Sequence, residues 1–314
     1  MKKVVFIDKV HEVLEQRLKV EGYEVVDATH LEKEAVKKEL NDAFGLVIRS
    51  KFRLDENFLK DAEKLKFIAR SGAGMENIDL EYTEKKNIIC FNAPEGNRNA
   101  VAEHALGMLL SIFNNLNKAH QEVRKGIWKR EENRGVELSG KTVGIIGYGN
   151  NGSALAKILS GFDVEILAYD KYKSDFGNEN VREVDLETLK NEADVISFHV
   201  PQTQETVYYL DHDFIEEVRK PFYLINLSRG KVVNTTALVN GLKNKKVLGA
   251  CLDVLEYEST SFENAFNELN SPTLEYLLKA DNVILSPHVG GWTDESYFKL
   301  SNVLANKILG EFQA

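Results

Sequence analysis

The chain has 314 residues, of which 43% are hydrophobic and 28% are charged, and its formal net charge is −9. The length favours two domains, and the composition is that of a globular protein with a sizeable core. An acidic chain is a poor partner for nucleic acid or anionic membranes, and its apolar runs are too short for a signal peptide or a membrane span. We therefore expect a cytoplasmic protein without a metal site, in which Cys90 and Cys251 are reduced thiols.

The first third of the chain alternates short β-branched runs with amphipathic segments. This βαβα order predicts a parallel sheet with helices on both faces. The predicted strands cover residues 4–8, 25–26, 45–49, 67–70 and 88–91, and the clearest helices cover residues 10–21 and 31–40.

One long helix is predicted next, over residues 101–125, because apolar side chains recur every three or four residues from Val101 to Leu116. A second series of uniformly apolar strands follows, and such strands are typically buried on both faces. The final helical pattern, 296–312, could pack back on the first lobe. The predicted fold is therefore α/β, with two doubly wound parallel-sheet lobes. The strands of the second series cover residues 142–147, 164–170, 195–199, 222–227, 247–252 and 283–286.

A G-x-G-x-x-G motif follows the first strand of the second series and precedes a helical pattern. Glycines at this spacing permit a tight turn, a close approach to a pyrophosphate, and close packing of helix on strand. The helix would also offer free N–H groups to the phosphates. A purely structural glycine turn is the alternative, but the strand and helix on either side are what dinucleotide binding requires. The predicted loop comprises Gly147, Gly149, Asn150, Asn151 and Gly152.

Asp170 ends the next strand, at about the 20-residue distance expected for the ribose-binding acidic residue. Its carboxylate would accept hydrogen bonds from the ribose hydroxyls and repel a 2′-phosphate, which favours NAD over NADP. Lys171 and Lys173 weaken this preference. NAD is the predicted cofactor.

Arg229, Glu258 and His288 each lie at or just past the end of a predicted strand. Ligands bind outside the carboxyl ends of open parallel sheets, so these side chains are expected to converge. Histidine can move a proton near neutral pH, and an arginine fork matches a carboxylate in two-point geometry. Each residue alone has an ordinary interpretation as a surface arginine, a solvated glutamate or a buried histidine. Glu256 is the rival of Glu258 as the histidine's partner.

The other histidines divide by their surroundings in the sequence. His104 is expected to pack within the long helix, and His212, between two aspartates, is expected to be solvated. His199 and Pro201 lie at a strand end, where they would line a cofactor cleft.

With these motifs in view, the chain resembles the D-2-hydroxyacid dehydrogenase family nearly from end to end. The resemblance also rests on RSGAGMENID at 70–79, NAPEGN at 92–97 with VAE at 101–103, and FHVP at 198–201. Within the family the chain is most similar to D-3-phosphoglycerate dehydrogenases that carry no regulatory domain.

The resemblance implies that a Rossmann domain is inserted in a flavodoxin-like domain. Residues 1–98 and 290–314 would form the substrate domain. Residues 99–289 would bind NAD, and their long helix would build a homodimer.

The resemblance also implies roles for single residues. Arg229 would bind the substrate carboxylate, His288 would be the acid/base, and Glu258 would orient it. Asp253 would face the nicotinamide amide. The substrate carboxylate would contact the loop formed by Ser71, Gly72, Ala73 and Gly74.

Arg49, Arg70 and Arg130 match positions that help to hold a phosphate in phosphoglycerate dehydrogenases. The alternative for Arg49 and Arg70 is pairing with acidic neighbours that only supports the fold. Two departures from the family pattern are Asn151, which replaces an apolar residue, and the long segment Ser259–Asn270.

The expected reaction interconverts a D-2-hydroxy acid and a 2-keto acid, with 3-phosphoglycerate and 3-phosphohydroxypyruvate as the pair. Hydroxypyruvate, glyoxylate and lactate-type substrates are the alternatives within this chemistry. The remaining alternative is a protein that binds NAD as a sensor without turnover.

Overall fold

The computed structural model describes residues 1–258 and 271–312. Its contacts divide the chain into two compact units. The first contains Met1–Arg98 and the segment from Trp292 onward, and the second contains the residues from Asn99 to Gly291 that the structure describes. The predicted insertion Ser259–Asn270 lies outside the described residues.

Twelve strands are present in the described ranges, and every pairing between them is parallel. They are β1 (Lys2–Phe6), β2 (Tyr23–Asp27), β3 (Gly45–Ile48), β4 (Phe67–Arg70), β5 (Ile89–Phe91), β6 (Thr142–Ile146), β7 (Glu165–Tyr169), β8 (Arg182–Glu183), β9 (Val195–Phe198), β10 (Phe222–Asn226), β11 (Val247–Leu252) and β12 (Val283–Leu285).

Twelve α-helices connect these strands, again counting only the described ranges. They are α1 (Glu12–Val20), α2 (Lys33–Leu40), α3 (Glu56–Leu59), α4 (Leu80–Lys85), α5 (Pro94–Phe113), α6 (Leu116–Arg124), α7 (Asn150–Leu159), α8 (Leu186–Glu192), α9 (His212–Glu217), α10 (Thr235–Lys243), α11 (Pro272–Lys279) and α12 (Asp294–Glu311).

The first unit is a five-stranded sheet in the order β2-β1-β3-β4-β5, the flavodoxin-like order. Successive side chains of a strand point to opposite faces, so Val5 and Val4 enter two different apolar clusters. Leu300, Leu304 and Ile308 of α12 pack in the second of these clusters. The prediction that the C-terminal helix packs on the first lobe is therefore confirmed.

The second unit is a seven-stranded sheet in the order β12-β11-β10-β9-β6-β7-β8. The chain winds outward in one direction from β6 to β8 and in the other from β9 to β12, which is the Rossmann arrangement. The strand order reverses between β6 and β9. The carboxyl end of β6 therefore borders the crevice in which such sheets bind their ligands.

The predicted single helix over 101–125 is wrong. The structure has two helices there, and Asn115 between them adopts a left-handed conformation with φ of 50°. The apolar face from Val101 to Phe113 is buried in the second unit, as expected, but Leu116 is 54% exposed. Asparagine tolerates the left-handed region better than most residues, which explains where the helix ends.

None of the helices within residues 1–258 and 271–312 combines the length and the apolar composition that crossing a bilayer would demand.

Candidate active site

The glycine-rich loop connects β6 to α7, and its geometry explains the glycines at positions 147 and 152. Gly147 has φ of 95°, and a Cβ there would lie 2.6 Å from the carbonyl oxygen of His199. A Cβ on Gly152 would lie 2.1 Å from the carbonyl oxygen of Gly147. Around Gly149, by contrast, nothing lies within 4 Å of the Cβ position. The loop is thus closely packed at both ends and open at the middle, as a pyrophosphate cradle must be.

The first turn of α7 fits the same ligand. Gly149 is the N-cap residue, and its lack of a side chain leaves the first N–H groups of the helix without a side-chain cap. Such groups attract phosphates. Asn151 lies in this turn, and its Oδ1 is buried without a hydrogen-bond partner among the described residues.

Asp170 follows β7 directly, and backbone groups fix its orientation. Its Oδ2 accepts a hydrogen bond of 2.8 Å from the N–H of Tyr148, inside the glycine-rich loop. Its Oδ1 accepts from the N–H groups of Tyr172 and Lys173. A hydrogen bond thus connects Asp170, the predicted ribose-binding residue, to the loop that is predicted to bind the phosphates.

His288 and Glu258 form a hydrogen-bonded pair in the second unit. Nδ1 of His288 lies 2.7 Å from Oε2 of Glu258, and their side chains are 23% and 13% exposed. A carboxylate only accepts, so the hydrogen of this bond belongs to Nδ1 of His288. Glu258 Oε1 also accepts from the N–H of Leu255. Glu256 has other partners, since its Oε1 accepts from the N–H of Thr235 at 3.3 Å.

Asp253 follows β11, and its side chain is only 3% exposed. Its Oδ1 accepts from Ser286 Oγ at 2.6 Å and from the N–H of Val289 at 2.9 Å, and its Oδ2 accepts from the N–H of Gly290 at 2.8 Å. The carboxylate is thus hydrogen-bonded to the segment that carries His288. That Asp253 faces the nicotinamide amide stays a prediction.

Arg229 and His199 lie at the carboxyl ends of β10 and β9. Arg229 is partly exposed, and its Nη1 donates to the carbonyl oxygen of Ser228 at 2.7 Å. Nε2 of His199 lies 2.8 Å from Ser197 Oγ, and burial lowers the pKa of His199 to about 4. His199 is therefore neutral at physiological pH. Pro201, two residues later, is exposed.

The loop after β4 in the first unit holds the predicted carboxylate-binding residues. Gly72 has φ of 157°, and a Cβ there would lie 1.6 Å from Nη1 of Arg70. Arg70 itself is 9% exposed. Ser71 is buried, and the carbonyl oxygen of Ala73 accepts from Asn92 Nδ2 at 2.6 Å. Gly72 thus packs directly against the Arg70 guanidinium, and Gly74 is partly exposed.

Of the other two predicted phosphate-binding residues, Arg49 belongs to the first unit and Arg130 to the second. The Arg49 guanidinium lies 3.8 Å from the ring centroid of Trp292. Arg130 is exposed and precedes a short 3₁₀ helix, Glu131–Asn133. The stacking of Arg49 on Trp292 was not predicted, because nothing in a single sequence links residues so far apart.

Comparison with known proteins places these features in a family. Residues 106–290 match the family pattern described as D-isomer specific 2-hydroxyacid dehydrogenase, NAD binding domain. A D-3-phosphoglycerate dehydrogenase from Methanocaldococcus jannaschii is 35% identical over 98% of this chain, which corresponds to 57% of that protein. The chain thus spans little more than half the length of this protein and of the D-3-phosphoglycerate dehydrogenase from Archaeoglobus fulgidus, which is 33% identical.

Two relatives match over nearly their whole length. A hydroxypyruvate reductase from Thermotoga maritima is 34% identical over 91% of this chain and 90% of that protein. The crystal structure of a D-lactate dehydrogenase from Aquifex aeolicus, complexed with NAD and lactic acid, has a TM-score of 0.81 at 29% identity and covers 98% of this chain and 95% of that one. The chain belongs to the D-isomer specific 2-hydroxyacid dehydrogenase family, and its second unit contains the family's NAD-binding domain.

Proposed function

We propose that this protein is an NAD-dependent dehydrogenase that interconverts a D-2-hydroxy acid and its 2-keto acid. The observation that carries the proposal is the His288–Glu258 pair, with its 2.7 Å contact. It lies at the same edge of the seven-stranded sheet as the glycine-rich loop, because parallel strands all end on one side.

His288 and Glu258 handle the proton in this reaction. Oxidation of a 2-hydroxy acid breaks the C2–H bond and the O–H bond, and the C–O bond becomes a carbonyl. The proton passes to Nε2 of His288, while Nδ1 keeps its hydrogen bond to Glu258. The carboxylate stabilises the imidazolium that forms and keeps the ring oriented. In the reverse direction the same imidazolium protonates the developing alkoxide.

The other half of the chemistry, acceptance of the hydride from C2, would be supplied by NAD when it is bound. Gly147, Gly149, Asn150, Asn151 and Gly152 would hold its pyrophosphate, and Asp170 would bind its ribose. His199 and Pro201 would line the same cleft.

Arg229 and the first unit would bind the substrate. The Arg229 guanidinium, placed after β10, suits a carboxylate and would help to polarise the keto oxygen. The loop Ser71, Gly72, Ala73 and Gly74 would contact the same carboxylate.

The most specific form of the proposal adds a phosphate on the substrate, bound by Arg49, Arg70 and Arg130. It makes 3-phosphoglycerate and 3-phosphohydroxypyruvate the substrate pair.

A homodimer is part of the proposal and is supported by an apolar surface on and after α6. Leu116 and Val123 are 54% and 52% exposed, and Trp128 is 78% exposed. Leu116 and Val123 are seven positions apart and therefore lie on one face of α6, and an exposed apolar helix face is typical of an interaction surface. Val123→Asp should shift the mass measured by light scattering from that of a dimer to that of a monomer.

The decisive experiment measures kcat/KM with NADH for 3-phosphohydroxypyruvate, hydroxypyruvate, glyoxylate and pyruvate. Turnover of one or more of these establishes the dehydrogenase class, and the preferred one identifies the substrate. Tight binding of NADH without turnover of any of these keto acids would contradict the proposed dehydrogenase activity and favour a protein that senses NAD. His288→Asn should lower kcat about 10²–10⁴-fold. His212→Asn, which changes an exposed histidine at the start of α9, is the matched control and should leave kcat unchanged.

A further inference from the structure

A group of hydrogen-bonded side chains borders the segment that carries His288. At its centre is the Asp253 carboxylate, which accepts three hydrogen bonds from Ser286, Val289 and Gly290. The Asp253 carbonyl oxygen also accepts from the N–H of His288 at 2.8 Å. Asp253 is thus bonded to four residues of the segment 286–290, on both sides of His288 and at His288 itself.

His288 needs this support because its backbone is in an unfavourable region. Its φ is 55°, in the left-handed region that a residue with a Cβ rarely adopts. Such a conformation persists when the surrounding contacts fix it. Here the bonds to Asp253 fix it, and they therefore also fix where the imidazole is directed.

His104 extends the group from helix α5. Its Nε2 lies 2.9 Å from Ser286 Oγ and 3.7 Å from Asp253 Oδ1. A serine hydroxyl has one hydrogen, and the carboxylate oxygen at 2.6 Å is its strongest acceptor. The Ser286 oxygen must then accept from His104, so Nε2 of His104 carries a hydrogen. The order of donation is His104 to Ser286 to Asp253.

We propose that His104 is a positioning residue for His288, acting through Ser286 and Asp253. Its N–H polarises the Ser286 hydroxyl, which strengthens the bond from that hydroxyl to the buried carboxylate. Asp253 in turn holds the His288 segment in its left-handed turn. The inference deepens the proposed function and rests on it, because the step served is proton transfer by His288.

The kinetic test compares His104→Leu and Ser286→Ala, which remove one member each, with the wild type. Each should lower kcat for keto-acid reduction about tenfold while the Kd for NADH, measured by fluorescence, changes less than about twofold. His104→Gln can still donate an N–H to Ser286 and should recover most of kcat. The double variant should be no slower than the slower single variant, because both act through one path. His212→Leu and Ser160→Ala, at exposed positions, are the matched controls.

Three results would overturn the proposal. The first is a lower Tm in His104→Leu and Ser286→Ala with kcat unchanged. The second is a double variant in which the two losses of kcat multiply. The third is a His104→Gln variant with a kcat as low as that of His104→Leu.

A second readout needs no turnover. ¹⁵N-labelled histidine side chains should show His104 with its hydrogen on Nε2, and Ser286→Ala should shift the ring signals of His288, assigned by comparison with His288→Asn. Unchanged His288 signals would contradict the proposal. Absence of turnover in the wild type, with these shifts present, would instead count against the proposed function alone.

Discussion

In the proposed mechanism Glu258, and not Glu256, is the partner of His288, although only two positions separate the two glutamates. Oε2 of Glu258 contacts Nδ1 of His288, whereas Glu256 accepts from the N–H of Thr235. Glu258→Gln removes the charge that stabilises the imidazolium, so kcat should fall about 10- to 100-fold with the Kd for NADH unchanged. Steady-state kinetics and fluorescence titration measure the two quantities.

Glu256→Gln is the matched control for that variant and should keep kcat within about threefold of the wild type. A larger loss in Glu256→Gln than in Glu258→Gln would reverse the assignment.

His199 makes stability depend on pH. Burial lowers its pKa to about 4, against an ordinary value of 6.5 in the unfolded chain. Between these values the unfolded state binds a proton that the folded state does not, so stability is complete above pH 6.5 and falls as the pH decreases toward 4. The loss should reach at most about 3 kcal/mol.

His199→Asn should therefore flatten the change in the free energy of unfolding between pH 6.5 and 4, measured by urea denaturation. His212→Asn, which removes an exposed histidine, should leave that slope as in the wild type. Equal slopes in the wild type and His199→Asn would show that His199 is not the titrating group.

The loops after β7 and β9 form an element that should control the choice of cofactor. Glu205 Oε2 accepts from Lys171 Nζ at 2.7 Å and from the Tyr172 hydroxyl at 2.6 Å. The Glu205 carboxylate therefore forms an ion pair with Lys171, which follows the predicted ribose-binding residue Asp170, and neutralises the charge of that lysine. The wild type should therefore prefer NADH to NADPH by at least about tenfold in kcat/KM, which corresponds to about 1.4 kcal/mol.

Glu205→Gln should raise kcat/KM with NADPH several-fold, because Lys171 is then released toward a 2′-phosphate. Asp170→Ala should further reduce the difference in kcat/KM between NADH and NADPH. Glu187→Gln, which changes a charge in the first turn of α8, provides the control for the loss of one negative charge. Equal use of NADH and NADPH by the wild type would contradict both the role of Asp170 and that of Glu205.

Elements with a strong local pattern were predictable from the sequence, and those set by tertiary context were not. The strands β4 and β11 begin and end where expected, because each is an apolar run followed by polar residues. The strand β8 (Arg182–Glu183) has two exposed residues and no apolar pattern to reveal it. The break at Asn115 was missed because the apolar spacing continues across it to Leu116.

The residues of the candidate active site were also predictable only where a local sequence pattern or the strand order indicates them. The glycine-rich loop was predictable because its residues are adjacent in the chain, and the convergence of strand ends follows from a parallel sheet. His104 was expected only to pack, because its partner Ser286 is 182 positions away and a single sequence carries no sign of that contact. The stacking of Arg49 on Trp292 was not predictable for the same reason, because these two residues are also far apart in the sequence.

At the scale of the whole molecule, the predicted roles divide between the two units. The glycine-rich loop and the His288–Glu258 pair belong to the second unit, whereas Arg49 and Arg70 belong to the first. Arg229 and Arg130, which would also bind the substrate, belong to the second unit, so only the contribution of the first unit to substrate choice should be separable from cofactor binding by mutation. Variants of the first unit should change which keto acid is reduced without changing the Kd for NADH.

Arg49→Ala tests this separation. If Arg49 binds a phosphate, the variant should lose about 10- to 100-fold in kcat/KM for 3-phosphohydroxypyruvate, the effect of one charge-assisted contact, and much less for hydroxypyruvate. Trp292→Ala keeps the charge but removes the ring that orients it, so its loss should be smaller and in the same direction. Arg53→Ala, at an exposed position of the same unit, is the control. Equal losses for the two substrates, or a wild-type preference for hydroxypyruvate, would mean that Arg49 supports the fold and that the substrate carries no phosphate.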